Sequence, residues 1–522
     1  MSETGATLAG PLMALRAPET YGVPGPVLVR ETHASWVFIA GEWAYKVKKP
    51  VRLAFLDYAT LERRHAACRE ELRVNRALAG RIYEAVVAVL PDGDGVRFDP
   101  EGTPGAVEYA IRMRRFEESM TLAGTIARGA LDEEAIARVA RRVATFHAEA
   151  PPCRKGGPRE TLERWEENAG ELERLAGPER VARSMRRFGR AFVAGQEAEL
   201  AGRARAGKVR DVHGDLRCEH VLLGDEVSIV DRIEFDPALR ELDVGWDLAF
   251  LSMDLHARGC ARAADALLAE YRRAGGDPGS AQLMAFYCAY WALVRAKVAM
   301  LAASAKVAST DPAPELLLGL AEMFCWKARQ PLAVLVCGPS ASGKSTLAGE
   351  LSARSGWPVL SSDETRKRLA GVAATQRAAP EHYTAEFSRR TYRELGRRAG
   401  AALDGGGGVL IDASCSKRSE RGELLARLDA TGAPRVVLCC RVKLETALAR
   451  AAARERRPDR VSDATVEIVA RQFERHDAID ESGGASGTPV DCESPLEDQI
   501  EDACEALDAA LTMRGTRAPA AT

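Results

Sequence analysis

The feature that most limits the fold of this chain of 522 residues is the stretch PLAVLVCGPSASGKSTLAGELSARSG, residues 331–356. A continuous apolar run that ends in glycine predicts a buried strand of a parallel sheet, and a helix is expected after the turn. Further apolar runs alternate with helical patterns in WPVLSSD, GVLIDAS and PRVVLCCRV. We therefore expect an α/β sandwich with a parallel sheet over residues 331–510, a domain boundary near Gln330 and a disordered tail at 511–522.

The glycine-rich turn satisfies the pattern GxxxxGK[ST] with the strand and helix that this pattern requires. In that setting the main-chain N–H groups and the helix N-terminus surround nucleotide phosphates, the lysine reaches the β and γ groups, and the serine binds Mg²⁺. The predicted contacts of ATP are Gly338, Ser340, Ser342, Gly343, Lys344, Ser345 and Thr346, with Ser345 on the metal and Lys344 also acting on the transferred group.

Two acidic residues follow later apolar runs of this half. Asp363 lies in VLSSDETRKRL, with Arg366 one helical turn further on, and Asp412 ends the run GVLID. Asp363 is the candidate general base for an acceptor hydroxyl, or at least the residue that orients it, and Asp412 is a candidate ligand of Mg²⁺ through water. Each aspartate could instead be a helix cap or turn residue, and that alternative stays open.

An arginine-rich stretch, ARAAARERRPDRVSDATVE at 449–467, follows the last of these runs. Arg454 and Arg457 lie three residues apart on one helical face. They are the candidates for arginines that a mobile lid would bring onto a transferring phosphoryl group. A solvated, salt-bridged helix is the alternative.

The first half predicts a different architecture. VLVRE, SWVFIAG and WAYKVKK predict antiparallel strands, with a tight hairpin at Gly41 and Glu42. A helix over 57–79 and two more strands, YEAVVAVL and VEYAIRMRRF, follow. This order is that of a kinase small lobe, at about 27–117, and the mainly helical pattern of 118–328 would form the large lobe, so 1–330 is predicted to be one kinase-like domain.

Phosphoryl transfer from ATP needs a cation on the donor phosphates, and Lys46 in AYKVKK is the candidate. A lysine so placed needs a carboxylate to orient it. The following helix offers several glutamates, of which Glu71 is our choice and Glu70 the close rival. For the strand end alone, a solvated basic surface is the simpler interpretation.

The stretch HGDLRCEH, residues 213–220, has the form of a phosphotransferase catalytic loop. Asp215 would accept or orient the proton of the acceptor hydroxyl, and His213 would support the loop. Asp231, sixteen residues later at the end of a short strand, would bind Mg²⁺. His220 stands where the kinase pattern has asparagine, so it is either a softer, nitrogen ligand of the metal or a residue that only packs in the loop.

Residues 27 to about 325 resemble the aminoglycoside phosphotransferase superfamily, through ETHASWVFIAGEWAYKVKKPV, HGDLRCEHVLL and VDRIEFDPALRELDVGWDLAFLSMDL. These stretches look like a bacterial branch in which that domain is fused to a C-terminal P-loop domain. The resemblance implies ATP phosphates on Lys46, a catalytic Asp215 and a metal on Asp231, without implying an aminoglycoside substrate. Through SSDETRKRL and ID, residues 331–510 resemble the small P-loop kinases that include gluconate kinase and polynucleotide kinase.

Composition limits the partners. The 73 basic and 75 acidic side chains give a formal net charge of −2, which disfavours general nucleic-acid binding. The twelve cysteines show no CxxC pair, so we expect reduced thiols rather than a disulfide framework or zinc ribbon. No apolar run reaches 18 residues and the N-terminus has no signal pattern, which predicts a cytoplasmic protein without a membrane partner.

These features lead to three hypotheses of function. The first is an ATP-dependent kinase with two MgATP sites that phosphorylates hydroxyl groups of small molecules. The second makes the first half a nucleotide-sensing pseudokinase, so that only the P-loop half turns over. The third makes the P-loop half a nucleic-acid 5′-end kinase. The acceptors and the oligomeric state are not encoded in any pattern we find, although Asp243, Asp247 and Asp254 would either bind a cationic acceptor or serve as caps and salt-bridge partners.

Overall fold

The computed structural model describes residues 10–53, 56–153, 155–176, 179–304, 312–415, 418–456, 461–475 and 487–513. Its internal contacts divide the chain into two units. The first unit consists of Met1–Gly156 and Arg203–Gly279, and the second consists of Gly157–Gly202 and Ser280–Thr522. The helical segments before Gln330 are thus shared between the units, whereas a functional boundary at Gln330 itself stays a prediction.

The first unit begins with an antiparallel sheet and one long helix. Its elements are β1 (Leu28–Glu31), β2 (Ser35–Ala40), β3 (Trp43–Lys48), β4 (Arg52–Leu53), β5 (Leu56–Asp57), α1 (Leu61–Ala79), β6 (Tyr83–Asp92), β7 (Gly95–Pro100) and β8 (Glu108–Arg114). The main sheet has the order β1-β2-β3-β8-β6-β7. The predicted two-residue hairpin is confirmed, because Ala40 pairs with Trp43 across it.

The middle of the chain is mainly helical. Its helices are α2 (Leu122–Ala127), α3 (Glu133–Glu149), α4 (Pro158–Ala176), α5 (Glu179–Gly195), α6 (Glu197–Arg205), α7 (Val244–Ala257), α8 (Ala261–Arg273), α9 (Ala281–Ser304) and α10 (Pro314–Ala328). Four short strands, β9 (Val209–Asp211), β10 (Val221–Leu223), β11 (Val227–Ile229) and β12 (Glu241–Asp243), form the pairs β10-β11 and β9-β12.

The core of the first unit lies between α3, α7 and the β10-β11 hairpin. Helix α3 begins at Asp132, whose carboxylate accepts a hydrogen bond from the Ala135 N–H at 2.7 Å. Apolar residues at helical spacing, including Val139 and Val143, then pack against Leu248. A sheet-based small lobe and a helical large lobe give this unit the two-lobed, protein-kinase-like architecture that the sequence predicts.

In the second unit, the helices before residue 330 form a layer of their own. Helix α9 packs against α4 and α10, and its Phe286 stacks on Phe192 of α5 with ring centroids 4.4 Å apart. Of the described helices, α9 alone is long and apolar enough to cross a bilayer by length and composition, and 67% of its most apolar window is buried in the protein. That burial is typical of a core helix.

The rest of the second unit is the predicted α/β sandwich. Its strands are β13 (Leu332–Cys337), β14 (Val359–Ser361), β15 (Gly408–Asp412), β16 (Arg435–Arg441) and β17 (Thr488–Asp491). Its helices are α11 (Lys344–Ser355), α12 (Ser362–Ala370), α13 (Ala385–Asp404), α14 (Arg418–Asp429), α15 (Leu444–Glu455), α16 (Val466–Arg475) and α17 (Leu496–Thr512). All strands are parallel, in the order β14-β15-β13-β16-β17.

Both faces of this sheet are covered, which explains the continuous apolar runs. Along β13, Val334 and Val336 pack towards Leu347 of α11, whereas Leu335 and Cys337 pack towards Leu395 of α13. The carboxyl ends of parallel strands meet at one edge, so the residues that follow β13, β14 and β15 are brought together there.

Most of the cysteines lie in the interior of the protein. None of the twelve, all of which belong to the described part of the chain, forms a disulfide bond, and all but Cys153 and Cys260 are buried. The expectation of reduced thiols agrees with this arrangement.

Candidate functional site

In the first unit, an ion-pair cluster around the buried Glu71 connects the sheet with α1. The Lys46 Nζ lies 2.8 Å from Glu71 Oε1 and 2.8 Å from Asp231 Oδ1. Glu71 is fully buried. Burial alone would lower the pKa of Lys46, but the carboxylates of Asp231 and Glu71 outweigh it and hold that pKa well above its ordinary value. Three predicted site residues are therefore in direct contact.

The choice between Glu70 and Glu71 depends on the face of α1 that each occupies. Glu70 points away from the cluster and pairs with Arg73 at 2.6 Å and with Arg240 at 3.5 Å. Glu71, one residue on, faces Lys46. Adjacent helical positions differ by about 100° in direction, so only one of the two can reach the sheet.

Two members of the cluster were missed by the sequence interpretation. Lys48 Nζ lies 2.5 Å from Glu71 Oε2 and also pairs with Glu234, whose Oε1 accepts a hydrogen bond from the Tyr58 hydroxyl at 3.1 Å. The signal for Lys48 was its alternation with Lys46, since residues i and i+2 of a strand share a face. Glu234 gave no comparable signal, because it lies 186 residues away from its partner.

The stretch 213–220 connects β9 to β10 as a tightly held loop. The His213 Nε2 donates to the Val230 carbonyl at 3.0 Å, and its Nδ1 accepts from the Asp215 N–H at 3.2 Å. Burial lowers the pKa of His213 to about 4, so the ring is neutral at physiological pH. Gly214 has φ 85°, and a Cβ there would lie 2.8 Å from the Leu239 carbonyl oxygen. The loop therefore requires glycine.

Asp247 of α7 stabilises the loop 213–220 through hydrogen bonds to its main chain. Its carboxylate accepts hydrogen bonds from the main-chain N–H groups of His213 at 3.1 Å and Gly214 at 2.9 Å, and it contacts His147 Nε2 at 3.0 Å. Asp247 is fully buried, so it does not face an acceptor.

The other two aspartates of this region are also structural. Asp254 accepts from the Cys218 N–H at 2.9 Å. Asp243 caps α7 through the Gly245 N–H at 2.8 Å and pairs with Arg203 at 2.7 Å. Of the two interpretations left open for these acids, capping and salt-bridging accounts for the contacts of all three.

Asp215 lies in the loop with both carboxylate oxygens against Arg217. The Arg217 Nε is 2.8 Å from Oδ1, and one terminal nitrogen is 3.3 Å from Oδ2. Burial alone would raise the pKa of Asp215, but the charges of Arg217 and His220 outweigh it and keep that pKa below its ordinary value. Asp215 is therefore an ionised carboxylate that is paired with the Arg217 guanidinium. The sequence interpretation did not assign a role to Arg217.

His220 is oriented towards Asp231. Its Nδ1 donates to the Asp215 carbonyl oxygen at 2.8 Å, which leaves Nε2 at 3.8 Å from Asp231 Oδ2. The left-handed backbone of Asp231, with φ 63°, and the hydrogen bond that its N–H donates to the Tyr83 hydroxyl at 3.2 Å hold this carboxylate in place.

The donor set of His220 and Asp231 fits a divalent ion that takes its other ligands from nucleotide phosphates. No group of three metal-binding side chains is gathered anywhere in the described residues. The imidazole nitrogen departs from the oxygen ligands that Mg²⁺ prefers.

In the second unit, the P-loop has the backbone that its pattern requires. Gly338 has φ 148° and Gly343 has φ 105°, and a Cβ on Gly338 would lie 2.8 Å from the Cys440 carbonyl oxygen. Helix α11 begins directly at Lys344. The loop is held by Gln472, whose Oε1 accepts from the Ser340 N–H at 2.7 Å. The main-chain N–H groups and the helix N-terminus are thus arranged for an anion.

Ser345 and Asp412 meet at the carboxyl edge of the sheet. The Ser345 hydroxyl donates to Asp412 Oδ2 at 2.6 Å, whereas the buried Asp412 Oδ1 and Ser342 Oγ have no hydrogen-bond partner among the described residues. Burial raises the pKa of Asp412, against the opposing charge of Lys344. A hydroxyl and a carboxylate oxygen side by side are hard ligands, and the unsatisfied Oδ1 completes a set that fits Mg²⁺.

Asp363 and Arg366 occupy α12, next to this edge. Ser361 pairs in register with Asp412, so Asp363 in the first turn of α12 lies near it, and its charge contributes to the raised pKa of Asp412. Arg366 is buried and donates to the His382 carbonyl at 2.8 Å, with its guanidinium 4.9 Å from the centre of the Tyr383 ring. Arg366 therefore stabilises the segment around residue 382 through these contacts and does not extend into solvent.

Within the arginine-rich stretch 449–467, the residue that lies against the P-loop is Arg450, which was not one of the two predicted lid residues. Arg450 donates to the Ser342 carbonyl at 3.3 Å and to the Cys492 carbonyl at 2.9 Å. Arg454, on the same helix α15, donates to the Ala464 carbonyl at 3.3 Å. Arg457 lies outside the described residues. The assignment of Arg454 and Arg457 as lid residues stays a prediction.

Thr32 and Ser35 lie in the turn between β1 and β2, at the place where the kinase pattern has a glycine-rich phosphate-binding loop. The Ser35 N–H donates to Thr32 Oγ1 at 3.0 Å, and the Thr32 N–H donates to the Ser35 carbonyl at 2.9 Å. These bonds close the connection between β1 and β2.

Comparison with known proteins identifies the family. The chain is 32% identical over 489 residues to Uncharacterized protein Rv2004c of Mycobacterium tuberculosis and to Uncharacterized protein Mb2027c of Mycobacterium bovis. The match covers 91% of this chain and 94% of each relative. The chain therefore belongs to the same family as these mycobacterial proteins. Residues 334–479 match the family described as AAA domain, and this stretch contains the P-loop.

Two solved structures are similar to parts of the chain. A gluconokinase from Sinorhizobium meliloti is 21% identical and covers 34% of this chain and 91% of its own, with a TM-score of 0.26. A choline/ethanolamine kinase family protein from Mesorhizobium loti is 17% identical and covers 60% of this chain and 91% of its own, with a TM-score of 0.35.

Proposed function

We propose that this protein is an ATP-dependent phosphotransferase with two MgATP sites, an aminoglycoside-phosphotransferase-like site in the first unit and a P-loop site in the second. Each site transfers the γ-phosphoryl group to a hydroxyl of a small molecule. The observation that carries the proposal is the contact of Ser345 with Asp412 at the N-terminus of α11, where Lys344 begins the helix. The Lys46–Glu71–Asp231 cluster beside Asp215 supports the proposed site in the first unit.

In the P-loop site, the main-chain N–H groups at the N-terminus of α11 bind the phosphates, and the Lys344 ammonium balances the charge on the β and γ groups. Mg²⁺ on Ser345 and Asp412 neutralises further phosphate charge when it is bound. Asp363 accepts the proton of the acceptor hydroxyl. The bond between the γ-phosphorus and the β-γ bridging oxygen breaks, the acceptor oxygen bonds to phosphorus, and ADP leaves.

In the first unit, Lys46 binds the donor phosphates while Glu71 fixes its position. Asp215 orients the acceptor hydroxyl and takes its proton. The Arg217 guanidinium keeps Asp215 ionised and places a positive charge beside the reacting groups, where it favours the developing negative charge.

A second candidate function is favoured by the Arg217–Asp215 pair together with His220. A carboxylate already held by a guanidinium is a weaker base, and an imidazole is a poorer Mg²⁺ ligand than an amide oxygen. On this alternative the first unit binds ATP as a sensor and only the P-loop site turns over.

A screen of hydroxyl-bearing metabolites by ATP consumption tests both functions, with the wild type, Lys344→Ala and Asp215→Asn run in parallel. The proposal predicts two sets of acceptors, one lost in each variant. If Asp215→Asn retains every activity while Lys344→Ala abolishes all of them, the first unit is not a transferase.

A further inference from the structure

A concave basic surface lies in the first unit, away from Lys46 and the loop 213–220. It is formed by the C-terminal end of α1, by α3 and by the β10-β11 hairpin, and it encloses a volume of about 610 Å³. We call it the arginine groove. Its lining includes the five arginines Arg76, Arg81, Arg138, Arg141 and Arg142.

The positions of the five arginines on α1 and α3 bring their side chains to the same groove. Arg138, Arg141 and Arg142 stand at positions i, i+3 and i+4 of α3, which share a helical face. Arg76 is in the last turn of α1, and Arg81 follows that helix directly. Two elements that are distant in sequence thus contribute guanidinium groups to one groove.

Three of these side chains are held by main-chain carbonyls. Arg138 donates to the carbonyls of Gly224 and Asp225, in the second case at 2.9 Å. Arg142 donates to the Ala77 carbonyl at 2.7 Å, and Arg76 donates to the Glu84 carbonyl at 2.7 Å. Carbonyl oxygens orient a guanidinium but do not neutralise it, and each guanidinium keeps further N–H donors.

Carboxylates neutralise only the remaining two. Arg81 pairs with Glu226 at 3.1 Å, and Arg141 pairs with Glu134 at 2.6 Å. Within the described part of the chain, Arg76, Arg138 and Arg142 have no carboxylate partner. The groove therefore carries an excess of three positive charges in a chain whose formal net charge is −2.

We propose that the arginine groove binds a small ligand that carries two or more phosphate groups. Guanidinium groups match phosphate oxygens in a bidentate manner, and several of them fixed in one concavity favour a multiply charged anion over a single phosphate. The volume lies in the range of small-molecule sites, about 300–1,000 Å³. The near-neutral chain favours such a ligand over a nucleic-acid backbone.

The ligand would contact the helix that carries Glu71, because α1 supplies both Glu71 and the rim of the groove at Ala77. None of the residues that we assign to MgATP lines the groove. The arginine groove is thus distinct from both nucleotide sites and lies against an element of one of them.

The test uses isothermal titration of the full chain with tripolyphosphate, in excess Mg²⁺ and with both nucleotide sites saturated by a non-hydrolysable ATP analogue. We expect one equivalent to bind the wild type. The double variant Arg81→Glu/Arg141→Glu removes exposed arginines that make no main-chain bond in the groove, and it is expected to weaken binding at least tenfold. Arg97→Glu, an exposed arginine of β7 outside the groove, is the matched control and should bind as the wild type does.

Three results would overturn the proposal. They are the absence of tripolyphosphate binding to the wild type, equal weakening by Arg97→Glu, and sulfate binding as tightly as tripolyphosphate at the same ionic strength. Circular dichroism checks that the charge-reversed variant is folded, and Arg141→Gln replaces it if it is not. An oligonucleotide or acidic peptide that binds the groove when tripolyphosphate does not would assign the surface to a macromolecule and also refute the proposal.

Discussion

The two candidate sites differ in how their polar groups are satisfied by the protein itself. In the first unit, Lys46 and Lys48 share the carboxylates of Glu71, Asp231 and Glu234, so the charges are paired with one another. In the P-loop site, Asp412 Oδ1 and Ser342 Oγ are buried with no hydrogen-bond partner among the described residues. The Glu71 oxygens of the first site also lack a hydrogen bond, but they form ion pairs at 2.8 and 2.5 Å.

This difference predicts different responses to a ligand. A buried polar group without a partner costs about 1–3 kcal/mol, and a ligand that supplies the partner offsets that cost. In the first unit a ligand must instead compete with existing ion pairs, such as the contact of Lys46 with Asp231. A ligand of the P-loop site would therefore satisfy polar groups that have no partner, whereas a ligand of the first site would have to replace existing ion pairs.

The largest effect is expected from Lys344→Ala. Loss of the ammonium that balances the phosphate charge should lower P-loop turnover on the order of 100-fold, as removal of one preorganised charge contact does. Steady-state ATP consumption with a P-loop acceptor measures it. Lys443→Ala, at an exposed lysine near the same sheet edge, is the control and should leave the rate unchanged. A variant that keeps its rate would show that Lys344 does not bind the nucleotide.

Stability separates Glu71 from Glu70. Glu71→Gln leaves the buried Lys48 and the partly buried Lys46 with one charge partner fewer and should destabilise the first unit by about 3 kcal/mol. Glu70→Gln breaks partly exposed pairs and should cost less than about 1 kcal/mol. Urea unfolding followed by hydrogen exchange in β3 and α1 measures both. Equal losses would mean that the buried cluster contributes no more than a surface pair.

The neutral His213 predicts a pH dependence of stability for the first unit. Its pKa of about 4 in the folded protein is below the ordinary value of 6.5, so the unfolded chain binds the extra proton as the pH falls. The stabilisation is complete above pH 6.5 and is lost progressively between pH 6.5 and 4, by about 3 kcal/mol in total.

Unfolding free energies from pH 7 to pH 4 check this dependence. In His213→Gln the amide can still donate to Val230 but does not titrate, so the slope should flatten by close to one proton. His33→Gln, at an exposed histidine, should keep the wild-type slope. An unchanged slope in His213→Gln would contradict the assignment of a buried neutral ring.

The smallest effect concerns the pH profile of the first site. Arg217 lowers the pKa of Asp215, so Arg217→Gln should raise that pKa and move the acid limb of turnover to higher pH. Arg258→Gln, which removes a partner of Glu219 and Asp254 but not of Asp215, should leave the limb in place. A shift to lower pH would contradict the role of Arg217, and absence of any turnover assigned to Asp215 would favour the sensor function.

Local patterns predicted much of the fold. The strand before the P-loop, the helix after it and the hairpin at residues 41 and 42 follow from apolar runs, glycine positions and strand alternation, all of which act over a few residues. The helices between 157 and 202 and between 280 and 328 were predicted to belong to the large lobe of the first domain, whereas the internal contacts group them with the second unit. That grouping depends on contacts between distant segments, which local patterns do not report.

The candidate sites were predictable to the extent that their residues stand in short motifs. Lys46, Asp215 and Ser345 were identified from their neighbours in the sequence. Asp247 was named only as an acceptor contact or a capping residue, and Glu234 was not identified, because their contacts are made with partners more than 30 positions away. The contact of Arg217 with Asp215 depends on a side-chain rotamer, which a motif does not specify.

The number of nucleotide molecules bound per chain tests the central claim most directly. Equilibrium dialysis with a non-hydrolysable MgATP analogue should give two equivalents for the wild type and one each for Lys344→Ala and Lys46→Met. Thermal unfolding confirms that each variant is folded. A wild type that binds one equivalent, retained in Lys46→Met and lost in Lys344→Ala, would contradict the account of two sites on one chain.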